Sequence, residues 1–272
     1  MNAESGRTSP PLKDPADAPF LLGAAALGGC YVLLVLAMLA ANISYTTPAQ
    51  VWQSLHTREI QYSIWLSLIS STLSAILSLW VAVPLGYLMS RFEFVGKRCL
   101  DAFLDIPIVL PPLVVGLCLL ILFQTPPLRA LQQYVPITYA VPSVILAQFA
   151  VAAAFAVRTM RVTFDQISPR REQVALTLGC SRAQAFWRVV LPESGRGMLT
   201  AFTLAWTRSL GEFGPVLVFS GATRLRTEVL PTTVFLELSI GNLYGAVAVS
   251  LLMILVSAVV LVVLRTLGTA RL

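Results

Sequence analysis

Six long apolar runs constrain this chain more than any other feature. They are Phe20–Ile43, Tyr62–Ser90, Phe103–Phe123, Tyr139–Val157, Met198–Gly221 and Leu243–Leu264, each 19 residues or longer. At about 1.5 Å per residue, a helix of that length crosses a hydrocarbon core of ~30 Å. A backbone in lipid must satisfy its own hydrogen bonds, so such runs fold as helices. Four of the six contain no Asp, Glu, Lys or Arg. Only 12% of the 272 residues are charged, about half of the ~25% usual in a soluble domain. The chain reads as an all-α integral membrane protein with six transmembrane helices over residues 20–265. Residues 1–19, with four prolines, read as a flexible tail, and 266–272 as a short second tail. The first run is too long for the apolar region of a signal peptide, so it is expected to stay as an anchor.

The formal net charge is +6, and its distribution decides what it means. With the N-terminus placed in the cytoplasm, fourteen of the 19 Lys and Arg fall on the inner side. Arg58, Arg129, Arg224 and Arg226 fall outside, and Arg208 lies within the fifth run. That bias is the positive-inside rule, and it puts both termini in the cytoplasm. The charge therefore records orientation in a membrane and gives no reason to expect a nucleic-acid partner. Cys30, Cys99, Cys118 and Cys180 form no CxxC or Cys/His cluster and read as reduced, small apolar residues.

The segment 158–197 is polar yet patterned. Two helical stretches, Pro169–Leu178 and Arg182–Val190, flank Gly179. Ser168 and Ser181 stand where N-caps belong, Gly179 suits a left-handed C-terminus, and Pro192 is positioned to end the second stretch. Val174, Leu178, Phe186 and Val189 or Val190 would give these helices an apolar face, leaving Arg182 and Arg188 in water. The segment is read as a cytoplasmic docking element. Elsewhere, Pro107, Pro111 and Pro112 predict a kink in the third run, and Gly241 with Gly245 suggests close helix packing in the sixth.

Catalytic signatures are absent from the sequence. His56 is the only histidine, and no GxSxG, HExxH or zinc-ligand spacing occurs. Gly96-Lys97 is followed by Arg98, so the phosphate-loop pattern fails. If ATP drives this protein, another chain must hydrolyse it.

Arg208 is the eleventh residue of the fifth run, roughly 15 Å into it, and Glu212 lies four residues on. A charge at that depth costs at least ~2.5–3.5 kcal/mol and rarely faces lipid. Two readings are open: an ion pair that fixes packing, or a face lining a water-filled path in which Arg208 meets an anion. Gly211, Gly214 and Pro215 loosen the helix there. If two copies met about a two-fold axis, their Arg208 charges would repel unless Glu212 or the anion neutralised them.

Gln173-Val-Ala175-Leu-Thr-Leu-Gly179, nine residues, then Val189-Val-Leu191-Pro192 resembles the EAA loop of ABC importer membrane subunits. Gly179, Leu191, Pro192 and Ala175 match that pattern; Gln173 fills the usual Glu slot, and Glu172 stands one residue early. Arg208-Ser-Leu-Gly-Glu-Phe-Gly214 and Leu110-Pro-Pro-Leu-Val-Val-Gly116 are similar to segments of molybdate, tungstate and sulfate permeases. So is Thr227-Glu-Val-Leu-Pro-Thr-Thr-Val-Phe-Leu236. The resemblance implies a type I importer permease in the cytoplasmic (inner) membrane of a prokaryote, paired with a second copy of itself. It implies two ABC ATPase subunits on the cytoplasmic face, which use ATP and Mg while this chain binds no cofactor or metal. Glu172, Gln173, Ala175, Gly179, Arg182, Leu191 and Pro192 would couple to them. An extracytoplasmic oxyanion-binding protein would dock outside, where Arg224, Arg226, Glu228 and Glu237 are candidate contacts. Arg208, Glu212, Gly211 and Gly214 would line the path of molybdate or tungstate, with sulfate as the alternative. A secondary transporter driven by an ion gradient would leave the docking loop unexplained, and a membrane scaffold would leave Arg208 and Glu212 unexplained.

Overall fold

A computed structural model describes residues 18–269. The expected 1–19 tail falls almost wholly outside the described residues, as do the last three residues of the 266–272 tail. All regular structure among the described residues is helical. The chain divides into two units, with the boundary after Thr47, inside the stretch 20–265 that the sequence treats as one. The first unit holds α1 (Ala18–Ser44), whose side chains are almost all exposed.

The second unit begins with α2 (Pro48–Leu55), followed by α3 (Arg58–Arg91), a helix of 34 residues. Glu59 in the first turn of α3 and Arg91 in the last match the helix dipole. Next come α4 (Lys97–Val109), α5 (Pro112–Gln124), α6 (Pro126–Leu131) and α7 (Val141–Gln166). The third run is thus not one kinked span. Leu110 and Pro111 are both extended, with ψ of 139° and 131°, and α4 and α5 meet at 111°. A residue before proline is pushed out of the helical region, and here two prolines in succession keep two residues extended.

α7 continues nine residues past the expected end at Val157. Arg161 pairs there with Asp101, and Arg158 lies 3.6 Å from Asp105, which ties the extension to α4. The connection that follows contains α8 (Pro169–Thr177), α9 (Arg182–Ala185), a wide π turn over Phe186–Val190, and α10 (Leu191–Glu193). Gly179 has φ +90° and ends the first stretch, and Ser181 caps the second through a reciprocal pair with Gln184. Two expectations fail. Ser168 makes no side-chain cap bond. Pro192 does not end the second stretch; without an N–H it cannot make the ordinary bond to Arg188, so the backbone widens and the Leu191 amide donates to the Phe186 carbonyl instead.

α11 (Gly195–Leu210) and α12 (Gly214–Phe219) replace the expected fifth span, broken at Gly211-Glu212-Phe213. α13 (Leu230–Ser239) precedes α14 (Leu243–Thr269). Gly241, with φ +79°, lies in the turn between them, so the Gly241/Gly245 pair is not a stripe on one helix face. Instead Gly245 makes room for the side chains of Asn242 and Glu237. Among the described residues, four helices are long and apolar enough to cross a membrane, or five if α4 and α5 count as one bent span.

The core lies between α3 and α7 and is built from small residues. Ser67, Ser71, Ser74, Ala75, Ser78 and Ala82 of α3 are buried, as are Ala147, Ala152, Ala154 and Ala156 of α7. Between helices in lipid, close backbone approach and polar contacts replace the hydrophobic effect as the source of attraction. A Cβ on Gly86 would sit 2.8 Å from Met160 Cβ and 2.9 Å from the Arg161 nitrogen. Ser74 Oγ donates across the interface to the Ile145 carbonyl at 2.9 Å. α11 joins this pair through Trp206, whose Nε1 donates to Thr72 Oγ1 at 3.1 Å.

Candidate functional site

The break between α11 and α12 places one charge pair. α11 ends at Leu210, and Glu212 lies outside the helix in the three-residue gap, yet it still pairs with Arg208. The Glu212 side chain is 1% exposed and that of Arg208 31%. The carboxylate is thus sealed inside, while the Arg208 side chain stays partly exposed, with its guanidinium carbon 5.7 Å from the Phe155 ring centroid. A guanidinium offers a planar fork of donors that suits two oxygens of one anion.

The break between α4 and α5 packs against the break between α11 and α12. A Cβ on Gly214 would lie 2.9 Å from Pro112 Cβ and 3.0 Å from the Leu113 nitrogen. One on Gly116 would lie 2.8 Å from Pro215 Cα. Gly214 is therefore a seat for α5. Gly211 differs: the nearest atom to an added Cβ is the Thr207 carbonyl oxygen at 3.8 Å.

At the connection between α7 and α11, Glu172 and Gln173 point in opposite directions. Gln173 is exposed and Glu172 buried. Tyr87 Oη donates to Glu172 Oε1 at 2.5 Å, and Arg91 Nε lies 3.4 Å from Glu172 Oε2. Arg91 also donates to the Ile167 carbonyl at 2.7 Å. Glu172 thus latches α8 to the end of α3. Ala175 is buried beside it and Leu191 half-buried, while Gly179, Arg182 and Pro192 are exposed. The Arg182 guanidinium lies 5.5 Å from the Phe92 ring centroid. The apolar face expected at Val174 and Leu178 does not turn inward. Those side chains are 57% and 80% exposed, and Trp187 stands out with them, because Glu172, Ala175, Ala185 and Val190 take the buried positions. These exposed apolar groups form the kind of surface a partner covers.

At the connection between α12 and α14, two of the four candidate docking residues are buried. Glu228 is fully buried and Glu237 is 3% exposed. Glu237 accepts from Arg224 Nη2 at 2.8 Å and from Asn242 Nδ2 at 2.6 Å, stapling the connection to the start of α14. Neither carboxylate oxygen of Glu228 has a hydrogen-bond partner of good geometry, and burial pushes its acid group above the ordinary range, only partly offset by Thr233, Arg224 and the Leu225 backbone. Arg224 is half-buried and Arg226 exposed, so these two alone of the four offer charge outward.

Sequence reading did not find Tyr87, Arg91 or Phe155. Each lies far along the chain from the group it serves, and no local spacing signals the contact. No group of three or more metal-ligating side chains occurs among the described residues.

Comparison with known proteins bears on this geometry. The family model described as "Binding-protein-dependent transport system inner membrane component" matches residues 82–271. The sulfate transport system permease protein CysT of Salmonella typhimurium is 30% identical over 250 residues, covering 90% of each chain. The molybdenum transport system permease protein ModB of Mycobacterium tuberculosis is 31% identical over 251 residues, covering 90% of this chain and 93% of the relative. A crystal structure of a bacterial ABC transporter involved in the import of alginate shares the fold. Its TM-score is 0.71 at 15% identity, covering 94% of this chain and 98% of that one.

Proposed function

The chain belongs to the family of binding-protein-dependent transport system inner membrane components, and on that footing we propose that it is the permease of an ATP-driven oxyanion importer. Molybdate or tungstate is the first substrate reading. The observation that carries the anion is Arg208, a guanidinium beside the break between α11 and α12 whose carboxylate partner is sealed and whose own side chain stays partly exposed. A dianion leaving water loses more hydration than a singly charged ion, because that cost grows with the square of the charge, and a fixed cation offsets part of the loss. The passing anion competes with Glu212 for the same guanidinium, so the exchange forms one ion pair and leaves the sealed Glu212 carboxylate without its partner, which favours re-pairing and release of the anion. Sulfate is a second reading with its own support, since the sulfate relative is as similar as the molybdenum one.

Six crossings, with α4–α5 and α11–α12 each counted as one broken span, would leave both termini and α8–α10 on one side, and the Lys and Arg bias assigns that side to the cytoplasm. The exposed Val174, Leu178 and Trp187 suit burial in an ATPase subunit that binds ATP and Mg. Closure of the ATPase pair would push the loop around Gly179, and the Glu172 latch would carry the push to α3. The breaks at 110–111 and 211–213, packed on each other through Gly214 and Pro112, are the places where the spans yield. A second copy of this chain would complete the path. A binding protein would deliver the anion at the end carrying Arg224 and Arg226.

The test is uptake of radiolabelled molybdate in cells lacking this chain and in cells with it restored. Restored uptake blocked by tungstate but not by sulfate supports the first reading, and competition by sulfate at matched concentration moves the substrate to the second. Restored protein in the membrane with uptake of none of the three overturns the oxyanion proposal.

A further inference from the structure

We infer that the groove between α7 and α11, on the coupling-loop side of Arg208, is a second anion station in which Arg158 and Arg196 hold the oxyanion between Arg208 and the cytoplasm. The inference rests on the oxyanion reading above and adds a site to it. The groove measures about 700 Å³, and its lining includes Phe155, Arg158, Thr159, Thr163, Arg196 and Thr200. Phe155 also lies against the guanidinium of Arg208, so the groove begins where the mid-span site ends. An anion with about a dozen waters at ~30 Å³ each occupies roughly 400 Å³, so the groove admits a hydrated oxyanion.

The charges in the groove favour an anion. Its one acid, Glu193, is engaged by Arg171. Arg158 is only loosely paired, 3.6 Å from Asp105 with both side chains well exposed. Arg196 enters no ion pair among the described residues. Low-dielectric walls focus the field of this one unpaired and one loosely paired cation and concentrate anions locally.

The hydroxyls set how tightly an anion is held. Thr159, Thr163 and Thr200 donate to the carbonyls of Phe155, Thr159 and Arg196 at 2.8, 2.8 and 3.1 Å. Their protons are committed to the helix, so they present oxygens to the groove and build no donor cage. Charge acting through water then holds the anion, firmly enough to draw it from Arg208 and weakly enough to release it, as conduction requires. At Gly197 an added Cβ would collide with the Thr163 side chain, so the two helices touch there.

The test measures charge and transport separately. Thr200→Cys is introduced into a chain whose four native cysteines are alanine, in the assembled complex. It is then reacted with anionic and cationic methanethiosulfonates of similar size. The anionic reagent should react faster, and Arg158→Gln with Arg196→Gln should lower the anionic-to-cationic rate ratio about tenfold. That is the order expected for two unit charges roughly 10 Å away acting oppositely on the two reagents. Arg158→Lys with Arg196→Lys should keep the ratio. In oxyanion uptake the glutamine pair should lower the maximal rate several-fold at unchanged half-saturation, and the lysine pair should restore it. A rate ratio unchanged within twofold, or a glutamine pair that transports like the parent, overturns the station. A parent complex that takes up no oxyanion overturns instead the reading on which it rests.

Discussion

Glu172→Ala should release the coupling loop from α3, and the size of the effect follows from the latch. The substitution removes the acceptor of the Tyr87 hydrogen bond and the partner of Arg91, whose side chain is 9% exposed. Deleting one member of a buried ion pair costs ~3–5 kcal/mol. Arg91 keeps its bond to the Ile167 carbonyl and so is not wholly orphaned, which lowers the expected cost to about 2–3 kcal/mol. If α8 opens locally by breaking this latch, its amides should exchange hydrogen roughly 30- to 150-fold faster. Hydrogen exchange on the purified chain in lipid nanodiscs reads this directly. Arg91→Ala should speed the same amides, and the double variant should be little worse than either single one, with a coupling of about 2 kcal/mol. Exchange changed by less than threefold, or single effects that simply add, would refute the latch and return Glu172 to the surface facing the ATPase.

Arg208→Leu should reduce oxyanion uptake to background, and Arg208→Leu with Glu212→Leu should give a stable, inserted protein that still does not transport, since an apolar pair avoids the buried lone carboxylate; uptake above half the parent rate in either would make the ion pair a packing element. Gly214→Ala forces its Cβ against Pro112 and the backbone of Leu113 and should cost ~1–3 kcal/mol, whereas Gly211→Ala should be neutral; equal melting temperatures in detergent would contradict the packing of the two breaks. Burial raises the Glu228 acid above its ordinary 4.5, so the folded state binds the proton more tightly than the unfolded one and stability from this group is lost as pH rises. The melting temperature of Glu228→Gln should therefore match the parent near pH 4.5 and exceed it increasingly toward neutral pH; a constant gap would show that Glu228 is not the titrating group.

Apolar length made the helices legible, because a backbone in lipid has few choices. Gly179 and Ser181 were also readable, since a left-handed turn and a capping box are local chemistry. The breaks were only half legible. Pro111 and Pro112 announced a disturbance, but not that the chain would turn by 111°. Gly211 and Gly214 announced looseness, and the fold uses Gly214 for close packing. Charged residues between spans misled most. Glu228 and Glu237 look like solvated loop groups in sequence, yet both are buried, Glu237 on α13 with Arg224 and Asn242 as partners. Glu172 and Gln173 are adjacent, and only the phase of α8 against α3 decides which of them turns inward. That phase is set by Tyr87 and Arg91, more than eighty residues earlier.

The most direct test of the account is oxyanion accumulation in proteoliposomes containing this chain, its ATPase and its binding protein, with all ion gradients collapsed. The account predicts accumulation that requires ATP on the ATPase side and binding protein on the other, and that is lost in Arg208→Leu. Accumulation driven by an imposed ion gradient without ATP, or undiminished in Arg208→Leu, would contradict it.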